Sequence, residues 1–240
     1  MNKIEILKSE KDGLKIKADI HRMAKEGWES ISEDDIQRLK WYGLFLRNPT
    51  PGFFMLRVRI PNGFSFSHQV RALCFIAETF GNGIIDITTR QQVQLRQLKI
   101  ENVPEVFDLL EEAGLTSTQT GMDNVRNIIG CPVAGLNPKE RVNAYAQVKA
   151  LTEHILNNSE FSNLPRKFNV AISGCAADCV HAETQDLALV PAVQEKGGNH
   201  VYGFNILVGG KLGSGGYRIA TSLDVFLSPE EVVEVCSAII

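Results

Sequence analysis

Arg90, Gln92, Gln94 and Arg96 occupy alternate positions in Thr88-Thr89-Arg90-Gln91-Gln92-Val93-Gln94-Leu95-Arg96. Side chains of an extended segment alternate between faces, so these four would form one polar stripe. Two guanidinium groups and two amides on one face suit a ligand with several carboxylates, because a buried guanidinium needs an anionic partner. The same stripe also fits the solvated face of an antiparallel sheet, the commoner state of a strand like this taken alone. Other basic residues flank strands or turns. Arg57 and Arg59 alternate in Leu56–Gly63, Arg126 lies in Asp123-Asn124-Val125-Arg126-Asn127, and Arg166 with Lys167 in Asn163–Asn169. Each alone reads as a surface charge; together they point to one anionic site assembled from four separated segments.

The cysteines are Cys74, Cys131, Cys175, Cys179 and Cys236. An odd number in a chain of this size does not look like a disulfide framework. Cys74 falls in the helical stripe Val70, Leu73, Cys74, Ala77 and Phe80, and Cys236 beside Val232, Val233 and Ile239, so both are expected in a core. Cys131, Cys175 and Cys179 remain for chemistry, and none is assigned outright as a metal ligand. With His181 they would offer zinc sulfur and imidazole, although the spacing matches no strong zinc signature. His181-Ala182-Glu183 lacks the later P-C-x-x-C of a zinc deaminase. Gly210-Lys211 is followed by Leu212 where a phosphate loop needs Ser or Thr.

Composition narrows the classes. The 240 residues are 44% hydrophobic and 22% charged, ordinary for a globular chain able to bury a sizeable core. A net charge of -3 argues against nucleic acid as a partner while leaving room for a local basic pocket. No apolar run approaches the roughly 18–20 residues of a membrane span, and the polar opening Met1–Lys11 has no signal pattern. The expected location is cytoplasmic.

The elements that must position the basic residues read as α+β, in three stretches. Residues 1–50 form a helical lead-in, with Ser32 capping a helix whose first turn is acidic. Over 51–120 the pattern is Phe53–Ile60 strand, Pro61-Asn62-Gly63 turn, Ser67–Phe80 helix, strands Ile84–Thr89 and Val93–Ile100, and helix Pro104–Ala113. A last strand near Ser117–Thr120 would complete a ferredoxin-like split βαβ unit. Residues 121–240 form a second α+β domain. It has a helix after Pro138, strands at Phe168–Ser173, Asp186–Pro191, Tyr202–Val208 and Tyr217–Thr221, and a final helix opened by Ser228-Pro229-Glu230-Glu231. That helix runs to Ile240 without a terminating signal, as though the second domain were truncated there.

With these segments in place, the chain resembles the N-terminal half of the siroheme-dependent nitrite and sulfite reductases. The matching pieces, in family order, are Arg38–Phe45, Arg57–Gly63, Thr88–Arg96, Gly121–Asn127, Leu164–Asn169 and Gly203–Gly210. The resemblance implies a ferredoxin-like half-domain followed by a siroheme-binding α+β domain. It also implies roles. Arg90, Arg96 and Arg166, with Gln92, Gln94 and Asn205 beside them, match positions that hold the tetrapyrrole's carboxylates. Arg57, Arg126 and Lys167 match positions around the bound anion, where positive charge offsets its desolvation and the lysine can relay protons. Asn169 stands where sulfite-reducing relatives usually carry a second lysine, so the neutral amide points to the less charged anion, nitrite.

The implied reaction is six-electron reduction of nitrite to ammonia, fed by ferredoxin or a similar donor. Sulfite reductases and precorrin-3B synthase-like relatives share many of these positions, and a tetrapyrrole-binding module without turnover would use them equally. The family's 4Fe–4S cluster takes its cysteines from a C-terminal half that this chain would need as a partner. Cys175-Ala176-Ala177-Asp178-Cys179 repeats that half's C-x3-C spacing at the pseudo-symmetric place, with Cys131 near a first C-x5-C cysteine and Asn137 six residues on. That leaves three of four ligands, a trace of half-to-half duplication or ordinary small-residue packing.

Overall fold

The computed structural model describes residues 2–213 and 215–240, which divide into two compact units. The first holds Met1–Ile60, Phe64–Asn124 and Leu156–Lys167; the second holds Pro61–Gly63, Val125–Ile155 and Phe168–Ile240.

In the first unit three helices come first, α1 (Lys3–Glu10), α2 (Ile20–Glu26) and α3 (Glu33–Leu39). Ser32 accepts from the Asp35 N–H at 3.2 Å, and Glu33, Asp34 and Asp35 fill the positive first turn of α3. A sheet follows, of β1 (Leu44–Arg47), β2 (Thr50–Val58), β3 (Ile85–Ile87) and β4 (Val93–Leu98). Its order is β1-β2-β4-β3 and every neighbour is antiparallel. Helix α4 (Ser67–Phe80) links β2 to β3, and α5 (Val103–Glu112) follows β4 with proline in its first turn. The split βαβ core is thus present, but Thr116 makes only an isolated bridge to Arg59 and Ser117–Thr120 joins no strand. The edge place beside β2 is filled by β1, which the sequence placed in the helical lead-in.

That lead-in is not separate from the sheet. Leu7, Ile16, Ile20, Met23, Leu39 and Trp41 share one core with Phe54, Leu56, Leu73, Ile76, Leu95 and Leu110. A Cβ at Gly13 would lie 2.1 Å from Cδ2 of Trp41, so only glycine lets the chain pass the indole. Cys74 is exposed rather than in the core, because α4 turns Leu73, Ile76 and Ala77 inward instead.

The second unit is built on the sheet order β10-β7-β6-β5, from β5 (Val170–Ile172), β6 (Leu187–Lys196), β7 (Asn199–Val208) and β10 (Thr221–Leu227). A short hairpin of β8 (Lys211–Gly213) and β9 (Gly216–Arg218) precedes β10. β5 and β6 pair in parallel, and β5 with the Leu187–Leu189 start of β6 is buried on both faces, which explains their apolar runs. Helix α6 (Ala144–Ile155) packs against β5 and against α7 (Val232–Ile239). Ser228 and Glu231 close a capping box ahead of α7, and burial pushes the Cys236 thiol on that helix up to about 12. Ala171 and Ala188 pack with Ile129, Val180 and Ala182, so small side chains let the loops approach the sheet closely.

Candidate functional site

The polar stripe expected over Arg90–Arg96 does not form as one extended face. Thr88 accepts from the Gln91 N–H at 2.9 Å, Gln91 takes a left-handed φ of 53°, and Arg90 lies in the turn between β3 and β4. Period-two alternation applies only from Val93 to the bulge at Gln97, where φ is 59°. Gln92 is buried at the entry to β4, and its side-chain nitrogen meets no acceptor among the described residues.

The hairpin nevertheless gathers the arginines. Arg57 on β2 stands opposite Gln94 on β4, and Gln94 opposite Asp86 on β3, in one cross-strand row. The row lies on the face opposite Leu56 and Leu95, which fill the core. Asp86 accepts a hydrogen bond from Arg96 Nε at 2.5 Å. Arg57 is held on three sides. Its guanidinium lies 4.8 Å from the Phe45 ring centre, its Nη1 donates to the Thr120 carbonyl at 3.2 Å, and its backbone N–H donates to the Gly43 carbonyl at 2.9 Å. Gly43 has φ 73°, and a Cβ there would strike Thr120 Oγ1 and the Arg57 carbonyl. The Arg57 guanidinium is driven below the usual arginine range first by burial, then by Arg90, then by Arg96. Three cations thus share one half-buried patch. Neighbouring Arg59, expected at the surface, is buried instead; burial pushes it down to about 10, and it donates to the Gln119 carbonyl at 2.9 Å.

Arg166 is exposed and Lys167 half-buried on the segment after Leu164, and neither is among the groups that perturb Arg57. That segment is tied down where Lys8 Nζ donates to the Leu164 carbonyl at 2.9 Å and to Asp123 at 3.2 Å.

In the second unit Arg126 is buried, and its backbone N–H donates to the Phe168 carbonyl at 2.8 Å. Asn169 opens β5. Its backbone N–H and its side-chain Nδ2 both donate to Oδ2 of Asp186, at 2.8 and 2.9 Å. Its Oδ1 is shielded from solvent and meets no donor among the described residues. Asn205 on β7 is exposed opposite Val190, on the sheet face that also carries Ala188 and Leu207.

The three cysteines converge. Cys131 and Cys175 are buried and Cys179 is exposed; Cys175 and Cys179 lie near enough to Cys131 to perturb its thiol, and Asn137 Nδ2 donates to Cys175 Sγ at 3.1 Å. Burial, more than the neighbouring thiols, raises Cys131 above the usual cysteine range. Among the described residues no three His, Cys, Asp or Glu side chains are grouped so as to hold a metal ion. His181 points into solvent near Glu183, away from a zinc set. These thiols, as placed, do not fit an iron–sulfur cluster.

The residues missed from sequence are Asp86, Asp186 and Phe45 as partners of the cations and of the amide. A carboxylate between two isoleucines in Ile85-Asp86-Ile87, and one directly before the apolar run of β6, were the available signals.

Comparison with known proteins matches residues 121–240 to the nitrite and sulphite reductase 4Fe-4S domain and residues 47–113 to the nitrite/sulfite reductase ferredoxin-like half domain. A ferredoxin–nitrite reductase of Leptolyngbya laminosa is 48% identical over 100% of this chain and 48% of its own length. That of Synechococcus elongatus is 45% identical over 97% of the chain and 46% of its own. The solved NirA protein of Mycobacterium tuberculosis superposes with a TM-score of 0.89 at 28% identity, over 97% of this chain and 45% of that one. The chain spans about half the length of the curated relatives it matches.

Proposed function

The chain belongs to the nitrite and sulphite reductase family, and from that premise we propose that it forms the N-terminal half of a siroheme-dependent, ferredoxin-fed nitrite reductase. The observation that carries this reading is the half-buried trio Arg57, Arg90 and Arg96. Burial and mutual repulsion both work against the charge on Arg57, a state that a bound polyanion relieves. A tetrapyrrole with carboxylate arms fits that need.

Siroheme supplies, when bound, the redox-active iron at which nitrite and its reduction products are held. Arg90, Arg96 and the exposed Arg166 would grip its carboxylates, with Asp86 orienting Arg96. Gln92, Gln94 and Asn205 would add neutral hydrogen bonds. Arg57, Arg126 and Lys167 would offset the charge of nitrite and of the oxygens as they depart. Lys167 is the group suited to deliver protons, because the balance to ammonium and two waters takes up eight protons with six electrons. Asn169 adds no charge, which favours a monoanion over sulfite. The 4Fe–4S cluster finds no fitting ligand set here and would be held by the part of the relatives' length that this chain does not cover. No helix among the described residues is long and apolar enough to cross a membrane, and we place the enzyme in the cytoplasm with a ferredoxin-type donor.

Turnover of the complete, siroheme-loaded protein with reduced ferredoxin tests the reading. Nitrite loss with stoichiometric ammonium is expected. Faster sulfide release from sulfite, or retained tetrapyrrole without nitrite loss, would overturn it.

A further inference from the structure

We propose that Phe45 is a positioning residue for the substrate anion: its ring face, with the Thr120 carbonyl, holds the Arg57 guanidinium in the patch without neutralising it. This rests on the proposed placement of Arg57 beside that anion. Strand register sets the contact. Phe45 on β1 pairs with Met55 on β2, and Arg57 lies two residues further along β2, so ring and guanidinium are diagonal neighbours on one sheet face. The place opposite Arg57 belongs to Gly43, which takes the Arg57 backbone N–H at 2.9 Å and puts no side chain over it. The guanidinium carbon lies over the Phe45 ring instead, 4.8 Å from its centre. The ring tip is seated in turn, because a Cβ at Gly121 would come within 2.8 Å of Phe45 Cζ.

The groups that hold Arg57 are uncharged. Burial, Arg90 and Arg96 all work against its charge, and Asp86, the acid of the same cross-strand row, is engaged by Arg96 at 2.5 Å. What remains is the aromatic face and the Thr120 carbonyl, which accepts from Arg57 Nη1 at 3.2 Å. Thr120 is fixed by its own hydroxyl, 2.8 Å from the Ser117 carbonyl and 3.1 Å from that of Arg57. A carboxylate would grip the guanidinium harder but would compete with nitrite for it. A ring face and a carbonyl carry no net charge, so they fix the direction of the cation and leave its charge to the anion. Without the ring, repulsion within the patch lets the long side chain swing out to water, and binding the anion must then order it again.

The test uses the complete siroheme-loaded protein. Nitrite binding in the resting state and carbon monoxide binding in the reduced state are read from visible absorption without turnover. Carbon monoxide is an iron ligand with no net charge, so it reports the pocket and not the cation. Phe45→Leu is expected to weaken nitrite binding about fivefold, the size of one partly desolvated cation–π contact, and to leave carbon monoxide binding unchanged. Phe45→Tyr, which keeps the ring face, is expected to restore nitrite affinity. An unchanged nitrite affinity in Phe45→Leu, an equal loss for both ligands, or a Phe45→Tyr as weak as Phe45→Leu overturns the proposal and leaves the enzyme reading intact. A wild-type protein that binds carbon monoxide but gives no nitrite-dependent spectral change overturns both. Should Phe45→Leu not fold, replacing Phe45 by its trifluorinated analogue decides, since that keeps the ring's shape while draining its negative face. Weaker nitrite binding with unchanged carbon monoxide binding supports the clamp, and wild-type affinities overturn it.

Discussion

Arg57 lies over the Phe45 ring with Arg90 and Arg96 close enough to oppose its charge, while Asp86 engages Arg96. On the proposed reading such a patch serves a ligand and not the stability of the empty protein. Replacing Arg57 by methionine is therefore expected to leave folding stability unchanged or raise it by about 1 kcal/mol, since a poorly solvated cation is exchanged for a packed apolar chain. The same change should weaken tetrapyrrole or nitrite binding by about tenfold or more. Denaturant melts of the ligand-free protein and absorption titrations of the loaded one check the two halves. A clear loss of stability would show that Arg57 serves the fold instead. At this scale the residue types were legible and their partners were not. Arg57 and Arg96 could be marked as donors from sequence, but Asp86 meets Arg96 only because β3 and β4 lie side by side, and Asp186 reaches Asn169 only through the parallel pairing of β5 with β6.

Elements whose ends carry their own chemistry read well. The helix expected over Ser67–Phe80 is α4, the Ser32 cap starts α3, and the Ser228–Glu231 box leads into α7. Elements defined by distant pairing read poorly. β1 is four residues long, followed at once by the turn at Asn48 and Pro49, and exists because β2 offers it an edge. The gap between the strands expected at Ile84–Thr89 and Val93–Ile100 is the turn at Arg90, but its tight form was hidden because no Gly or Pro marks it and Gln91 takes the left-handed position that glycine usually holds. The passage of the first 3-10 turn across Trp41 gives the element-scale prediction. Gly13→Ala is expected to cost about 1–3 kcal/mol, because neither the chain nor the buried indole has room to give. The melting temperature and the Trp41 fluorescence maximum report it. A variant as stable as the wild type would mean that the indole rotates freely, contrary to its hydrogen bond from Nε1 to Ser162 Oγ at 3.1 Å.

Over the whole molecule, a net charge of -3 coexists with one concentrated cationic patch in the first unit and with a buried arginine and a locked amide in the second. The overall charge argued against nucleic acid as a partner and gave no sign of where the cations meet. The ordered segments from Arg38 to Gly210 carried the family, because each holds polar residues that a purely structural strand or turn would not need. Cys131, Cys175 and Cys179 show the other limit of such reading: the family's pseudo-symmetry offered them, with Asn137, as a trace of a cluster site or as ordinary packing, and among the described residues no metal-holding group forms there. The central claim is that the Arg57, Arg90 and Arg96 patch exists to hold a polycarboxylate iron tetrapyrrole. Its most direct test is the visible spectrum and iron content of the protein purified from a siroheme-making host, compared with an Arg90→Gln, Arg96→Gln double variant. The account predicts tetrapyrrole bands with stoichiometric iron in the wild type and their loss from the folded variant; equal bands in both, or none in the wild type, would contradict it.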